Sequence, residues 1–149
     1  MPVPGAVPTR VITKEPNIIT DEGAALVAYL LTGGDCGSGT PTDAFDQAHA
    51  YISVSDNEAE PEADETEIGG NVLGTKQCDT DWPQYANRRI EWRATFQIGE
   101  AEGKWCRISL QNAAAEDCVN FDLFRLDPAV DYTKPVGTRI WICYIGVTI

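Results

Sequence analysis

There is one histidine in the chain, His49, and one methionine, Met1. A Ser-His-Asp or Cys-His arrangement has to use His49, and no nucleophile motif flanks it. A buried or surface histidine without a catalytic role is the expectation. Closely paired cysteines are missing too. Cys36, Cys78, Cys106, Cys118 and Cys143 include no Cys-x-x-Cys, the close pairing that structural zinc sites use. Their odd number argues against a closed disulfide framework. Reduced thiols acting as small hydrophobes are therefore expected, ahead of disulfides or a metal. The glycine-rich run at 33–39 lacks the lysine and following helix of a phosphate-binding loop. No apolar run approaches the roughly 20 residues of a membrane span. The opening MPVPGAVPTR has no basic-then-apolar order, so no secretory signal is read and a protein made and kept soluble in a cytoplasm is expected. Bases are few, 11 against 23 acids, for a net charge of −12. Such a surface repels phosphate backbones, so neither nucleic acid nor membrane is expected as a partner. No enzyme, cofactor or metal is expected.

What is present is strand pattern. Over Arg89 to Phe96, Ile90, Trp92, Ala94 and Phe96 alternate with Arg89, Glu91, Arg93 and Thr95. That is the mark of a strand with one buried and one wet face. A break at 98–103 precedes a second apolar run, Trp105 to Leu110, and the two read as a β-hairpin or meander. Shorter strands are predicted over 50–54 and 121–126. A closing strand spans 139–149, with Trp141, Cys143, Ile145, Val147 and Ile149 on one face and Ile140, Ile142 and Tyr144 on the other. Apolar residues on both faces predict burial on both sides or a seal against a partner chain. One helix is expected at about 20–31. Thr20 caps it, Asp21 and Glu22 occupy its first turn, Ala25, Leu26, Tyr29 and Leu30 form its apolar face, and Gly33 and Gly34 end it. The fold class is mainly β: an antiparallel β-sandwich, jelly-roll-like, with one short N-terminal α-helix. The 43% apolar content fits one globular domain, placed at 17–149.

Two segments stand apart. Residues 1–16 carry Pro2, Pro4, Pro8 and Pro16, a density that blocks helix and central strand. Either a disordered leader or an extended arm fits. The arm is preferred, because Val3, Val7, Val11 and Ile12 can then be buried by strand addition or groove contact on a neighbouring subunit. The run at 56–67 holds seven acids and no base. Asp56, Glu58 and Glu60 mimic calcium-loop spacing, but Pro61 stands where such a loop turns on glycine. A solvated, self-repelling surface loop is expected there.

Several short motifs, in order, resemble a class of small tailed-bacteriophage virion structural proteins. They are NIITDEGAALVAYLL (17–31), AYISVSDN (50–57), the aromatic-proline pair Trp82-Pro83 and RIEWRATF (89–96). The acidic turn at 99–102, the strand at 105–113 ending in Asn-Ala, and Lys134 before the last strand complete the series. The acidic insert at 56–67 and the five cysteines depart from the pattern. The resemblance implies a virion component, assembled in the host cytoplasm: a capsid decoration (cement) protein, a head-fibre base, or a tail or tail-fibre subunit. An arm, an apolar underside and an acidic outer face suit a decoration protein that clamps capsomers. Its expected partners are the major capsid protein and itself, as a homotrimer. Expected contacts are Val3, Val7, Arg10, Val11, Ile12, Arg89, Glu91 and Arg93. A tail or neck adaptor is the alternative within the class. From another class comes a carbohydrate-binding sandwich module, resting on loop rings such as Trp82 and Tyr85, with Trp92 assigned to the core.

Overall fold

A computed structural model describes residues 8–12 by backbone alone, and 18–34, 43–114 and 118–148 in full. The strands are β1 (Pro8–Ile12), β2 (Ile18–Ile19), β3 (Tyr51–Ser55), β4 (Val72–Gln77), β5 (Gln84–Ala86), β6 (Arg89–Phe96), β7 (Gly103–Lys104), β8 (Arg107–Gln111), β9 (Asn120–Arg125), β10 (Thr133–Lys134) and β11 (Ile140–Thr148). The helix α1 spans Asp21–Thr32. One sheet runs β1-β11-β6-β5, a second β2-β9-β8-β3-β4, and β10-β7 forms a two-stranded ladder. The protein is mainly β, with one helix. Among the described strands every pairing is antiparallel except β1 with β11.

Both larger sheets contribute to one core. From β6 come Trp92, Ala94 and Phe96, from β11 Trp141, Cys143 and Ile145, and from β3 and β8 Ile52, Val54, Ile108 and Leu110. Period-two alternation puts these side chains on the inner face of their strands. Trp105 sits at the centre at 1% exposure. Its ring stands edge-on to Phe96 at 5.1 Å and to Trp141 at 5.0 Å. Its indole N–H donates to the Ala101 carbonyl at 2.7 Å, so the one polar atom of the ring is satisfied.

The expected hairpin between the two apolar runs does not form. β6 lies in the four-stranded sheet and β8 in the five-stranded one. The chain from Gln97 to Cys106 crosses from one sheet to the other, and Trp105 on that crossing fills the space between them. Two successive amphipathic strands look alike whether they pair or face each other, because alternation reports which face is buried and not the neighbour.

The helix starts and stops as its caps dictate. Thr20 Oγ1 accepts from Gly23 N at 3.0 Å, and Gly33, at φ 69°, sends its N–H to the Tyr29 carbonyl. The buried face differs from the expected one. It is Gly23 and Leu26, while Ala25 and Leu30 are exposed. The cause is close approach: a Cβ on Gly23 would lie 2.7 Å from the Phe121 backbone. The helix therefore meets β9 at its N-terminal end. Thr20 N donates to the Phe121 carbonyl and Asn120 N to Glu22 Oε1 at 2.7 Å.

The acidic stretch is a surface loop with most of its residues exposed, as expected, but it is anchored and its charges are offset. Arg107, on the outer face of β8, is fully buried beneath it and makes five hydrogen bonds, the full capacity of a guanidinium. Its partners are the carbonyls of Ala59 (2.9 Å), Glu60 (2.8 Å) and Ile68 (3.0 Å) and both oxygens of Glu65 (2.7 and 3.2 Å). Arg125 pairs with Glu60 at 2.5 Å and Lys104 with Glu58 at 2.9 Å. Three bases from the sheet and its rim thus offset the repulsion within the run, which packs down as a cover with Pro61 buried.

Four cysteines, Cys78, Cys106, Cys118 and Cys143, are free and buried; Cys36 lies outside the described residues. Burial pushes the Cys143 thiol well up and the Cys78 thiol up to about 12. His49 is half-exposed, with Nδ1 2.7 Å from Asp46 Oδ1.

Candidate interaction surface

The outer face of the four-stranded sheet gathers the residues that the alternation marks as wet. In the β6–β11 register Arg93 stands opposite Tyr144, Glu91 opposite Gly146, and Thr95 opposite Ile142. β5 adds Gln84 opposite Glu91 and Ala86 opposite Arg89. A two-residue turn, Asn87-Arg88, joins β5 to β6 with φ of 52° and 63°. Positive φ at both positions is the turn whose twist matches a hairpin.

At the centre of this face Arg93 is held from three sides. Its Nε donates to Asp79 Oδ2 at 2.7 Å. Its guanidinium carbon lies 5.0 Å from the centroid of the Trp82 ring, within cation–π range. Tyr144 stands edge-on to Trp82, 5.7 Å away at 82°. Asp79 is fixed in turn by Thr95, whose hydroxyl donates to Oδ2 at 2.7 Å and whose backbone N–H donates to Oδ1 at 3.2 Å. Arg89 lies flat over Gly146, where any Cβ would collide with its guanidinium, and its Nε is 3.5 Å from Glu91 Oε2. Only glycine at 146 lets that side chain lie down. At the edge all three residues of β5 are exposed, and Tyr85, opposite Ile90, belongs to the other face of the sheet.

Tryptophan, tyrosine and arginine held in fixed geometry are the side chains that carry most binding energy in protein interfaces, since little entropy is lost on contact. Locally the charges also balance: Arg88, Arg89 and Arg93 stand in or beside the face with Asp79, Asp81 and Glu91. The opposite side of the sandwich carries the 56–67 cover with its seven acids.

The structure brings Arg89, Glu91 and Arg93 together on this face. β1 joins the same sheet: Ile12 stands opposite Tyr144, itself opposite Arg93, and Val11 falls in the row of Cys143 and Ala94. Arg10 stands opposite Ile142. The N-terminal segment therefore adds as a strand over 8–12 to the chain's own last strand. Val3 and Val7 lie outside the described residues. The second face of β11 is half-buried, at Ile140, Ile142 and Tyr144, and not enclosed on both sides as its composition suggested. Trp92 is a core residue, its indole N–H donating to the Phe45 carbonyl at 2.8 Å. Trp82 is half-buried against Arg93 and Tyr144 and does not stand free as a stacking ring.

Sequence reasoning missed Asp79, Tyr144 and Gly146. Tyr144 had a signal, its place on the second face of β11. Asp79 had none, being one acid among 23. Among the described residues no group of three or more His, Cys, Asp or Glu side chains is placed to hold a metal ion, and no helix is long and apolar enough to cross a membrane. No protein-family model, no curated protein and no solved structure matches the chain.

Proposed function

We propose that the protein is a non-enzymatic structural component of a tailed-phage virion, a decoration protein that binds the head shell through the outer face of its four-stranded sheet. The observation that carries this reading is the difference between the two outer faces. One offers Trp82, Arg89, Arg93 and Tyr144 in a charge-balanced patch bounded by the short edge strands β1 and β5. The other is a cover of carboxylates anchored on Arg107. A protein so built attaches by the first face and presents the second, whose charge discourages non-specific contact. The class itself rests on the resemblance of the sequence motifs to small virion proteins.

Separated head and tail fractions of the particle, read by mass spectrometry, test the proposal, together with re-addition of the purified protein to shells that lack it. The proposal expects the chain in heads and saturable binding to shells. Recovery with tails, and binding to tail tubes instead, favours the adaptor alternative and overturns the head assignment.

A further inference from the structure

The outer face of the five-stranded sheet holds a second feature that docking does not use. The acidic cover closes over Arg107 and stops short beyond residue 67. There it leaves a cleft of about 390 Å³ whose floor is the sheet itself. Alternation makes that floor polar. Ile52, Val54, Ile108 and Leu110 point to the core, so Ser53, Ser109 and Gln111 point the other way. Ser53 is 1%, Gln111 6% and Asn120 2% exposed.

These groups are pre-arranged. Ser53 Oγ and Thr75 Oγ1 are 2.9 Å apart. Asn120 donates through Nδ2 to the Thr66 carbonyl at 2.8 Å and accepts at Oδ1 from Ser109 at 2.5 Å. Gln111 Nε2 donates to the Ala113 carbonyl at 3.1 Å. Each bond fixes the direction of the side chain's remaining donors and acceptors. These bonds already meet the cost of burying the groups, and Ser53, Thr75, Gln111 and Asn120 line the cleft.

The lining also selects the class of ligand. Among the described residues that form it there is no lysine, arginine or aromatic ring. An anion finds no counter-charge, and a nucleobase finds nothing to stack on. Hydroxyls and carboxamides both donate and accept, as sugar hydroxyls do. Among the described lining residues the carboxylate is Glu67 at the exposed rim, which can accept from two neighbouring hydroxyls at once. The volume is at the small end of ligand pockets. We infer that this cleft binds a neutral polyhydroxylated ligand, a mono- or disaccharide, with Ser53, Thr75, Gln111 and Asn120 as its floor and Glu67 at its mouth. This inference is independent of the docking proposal, since it concerns the opposite face.

The test is a titration of the full-length ¹⁵N-labelled protein with glucose, galactose, mannose, rhamnose and N-acetylglucosamine, read at the side-chain amide signals of Gln111 and Asn120. Lysine and glycerol serve as controls. At least one sugar should shift those signals saturably. Thr75→Val, which removes a hydroxyl without changing shape, should weaken that sugar by about tenfold. Should Thr75→Val lose its dispersed spectrum, Glu67→Gln at the exposed rim gives the same reading on a surface that cannot unfold the core. Four results overturn the inference: no saturable shift with any of the five sugars, shifts confined to Trp82 and Tyr85, equal shifts with lysine or glycerol, or affinity unchanged in a folded variant.

Discussion

Arg107 organises more of the surface than any other single residue. Its guanidinium is a five-donor fork in a plane, and the cover supplies three carbonyls and a carboxylate to meet it. Removing it leaves those carbonyls unpaired beneath the run and the Glu65 carboxylate without its countercharge. Arg107→Leu should therefore cost about 2–4 kcal/mol. Hydrogen exchange should rise first over 57–68, before the sheets open, whereas uniform protection after the substitution would mean that the cover stands without its anchor. Arginine in an alternating strand normally marks a wet face. Its burial here was not legible in the sequence, because the partners arrive from 39–48 residues earlier in the chain.

At the scale of elements the sequence was informative about ends and faces, and less so about neighbours. Thr20, Gly33 and the alternation of β6 place α1 and β6 to within a residue, since caps and period two are local chemistry. The partition of β6 and β8 into different sheets was not legible, because pairing depends on a crossing that alternation does not encode. The face of α1 was legible in part: Leu26 is buried as expected, whereas the close approach at Gly23 leaves Ala25 and Leu30 exposed. Gly23→Ala tests that contact. The helix and β9 must separate by several tenths of an ångström, so a loss of about 1–3 kcal/mol is expected despite alanine's better helix propensity. A gain in melting temperature would show that the contact yields easily. Of the candidate interface, Arg89, Glu91 and Arg93 were readable from alternation alone. Trp82, a loop residue, joined them through a ring contact that no spacing announces.

For the molecule as a whole, charge and burial set how stability depends on pH. Hydrogen bonds from the Lys76 ammonium are the main cause holding Glu100 below the usual carboxylate range, and the Asn71 side-chain amide does the same for Asp56. A lowered folded pKa means stability present above the unfolded value and lost as pH falls through the folded one. Glu22 has the opposite sign, its carboxyl being raised mainly by desolvation, so protonating it relieves a cost and partly offsets that acid loss. At the other end Cys78 and Cys143 are both raised by burial. Their contribution is complete below the ordinary thiol value of 9.0 and is lost as pH rises towards about 12. Denaturant midpoints measured from pH 8 to 11 should fall above pH 9, and less steeply in a Cys78→Ala, Cys143→Ala double variant. Equal slopes would mean that the thiols do not carry the effect. The surfaces of this sandwich are divided between an aromatic–arginine face and an acidic one, and attachment through the first is the central claim. Binding to head shells lacking the protein is the test, with a Trp82→Ala, Tyr144→Ala double variant compared against Glu62→Ala on the cover. The account predicts binding weakened by at least about tenfold in the first and unchanged in the second. Loss of binding with Glu62→Ala, and retention with the aromatic pair removed, would contradict it.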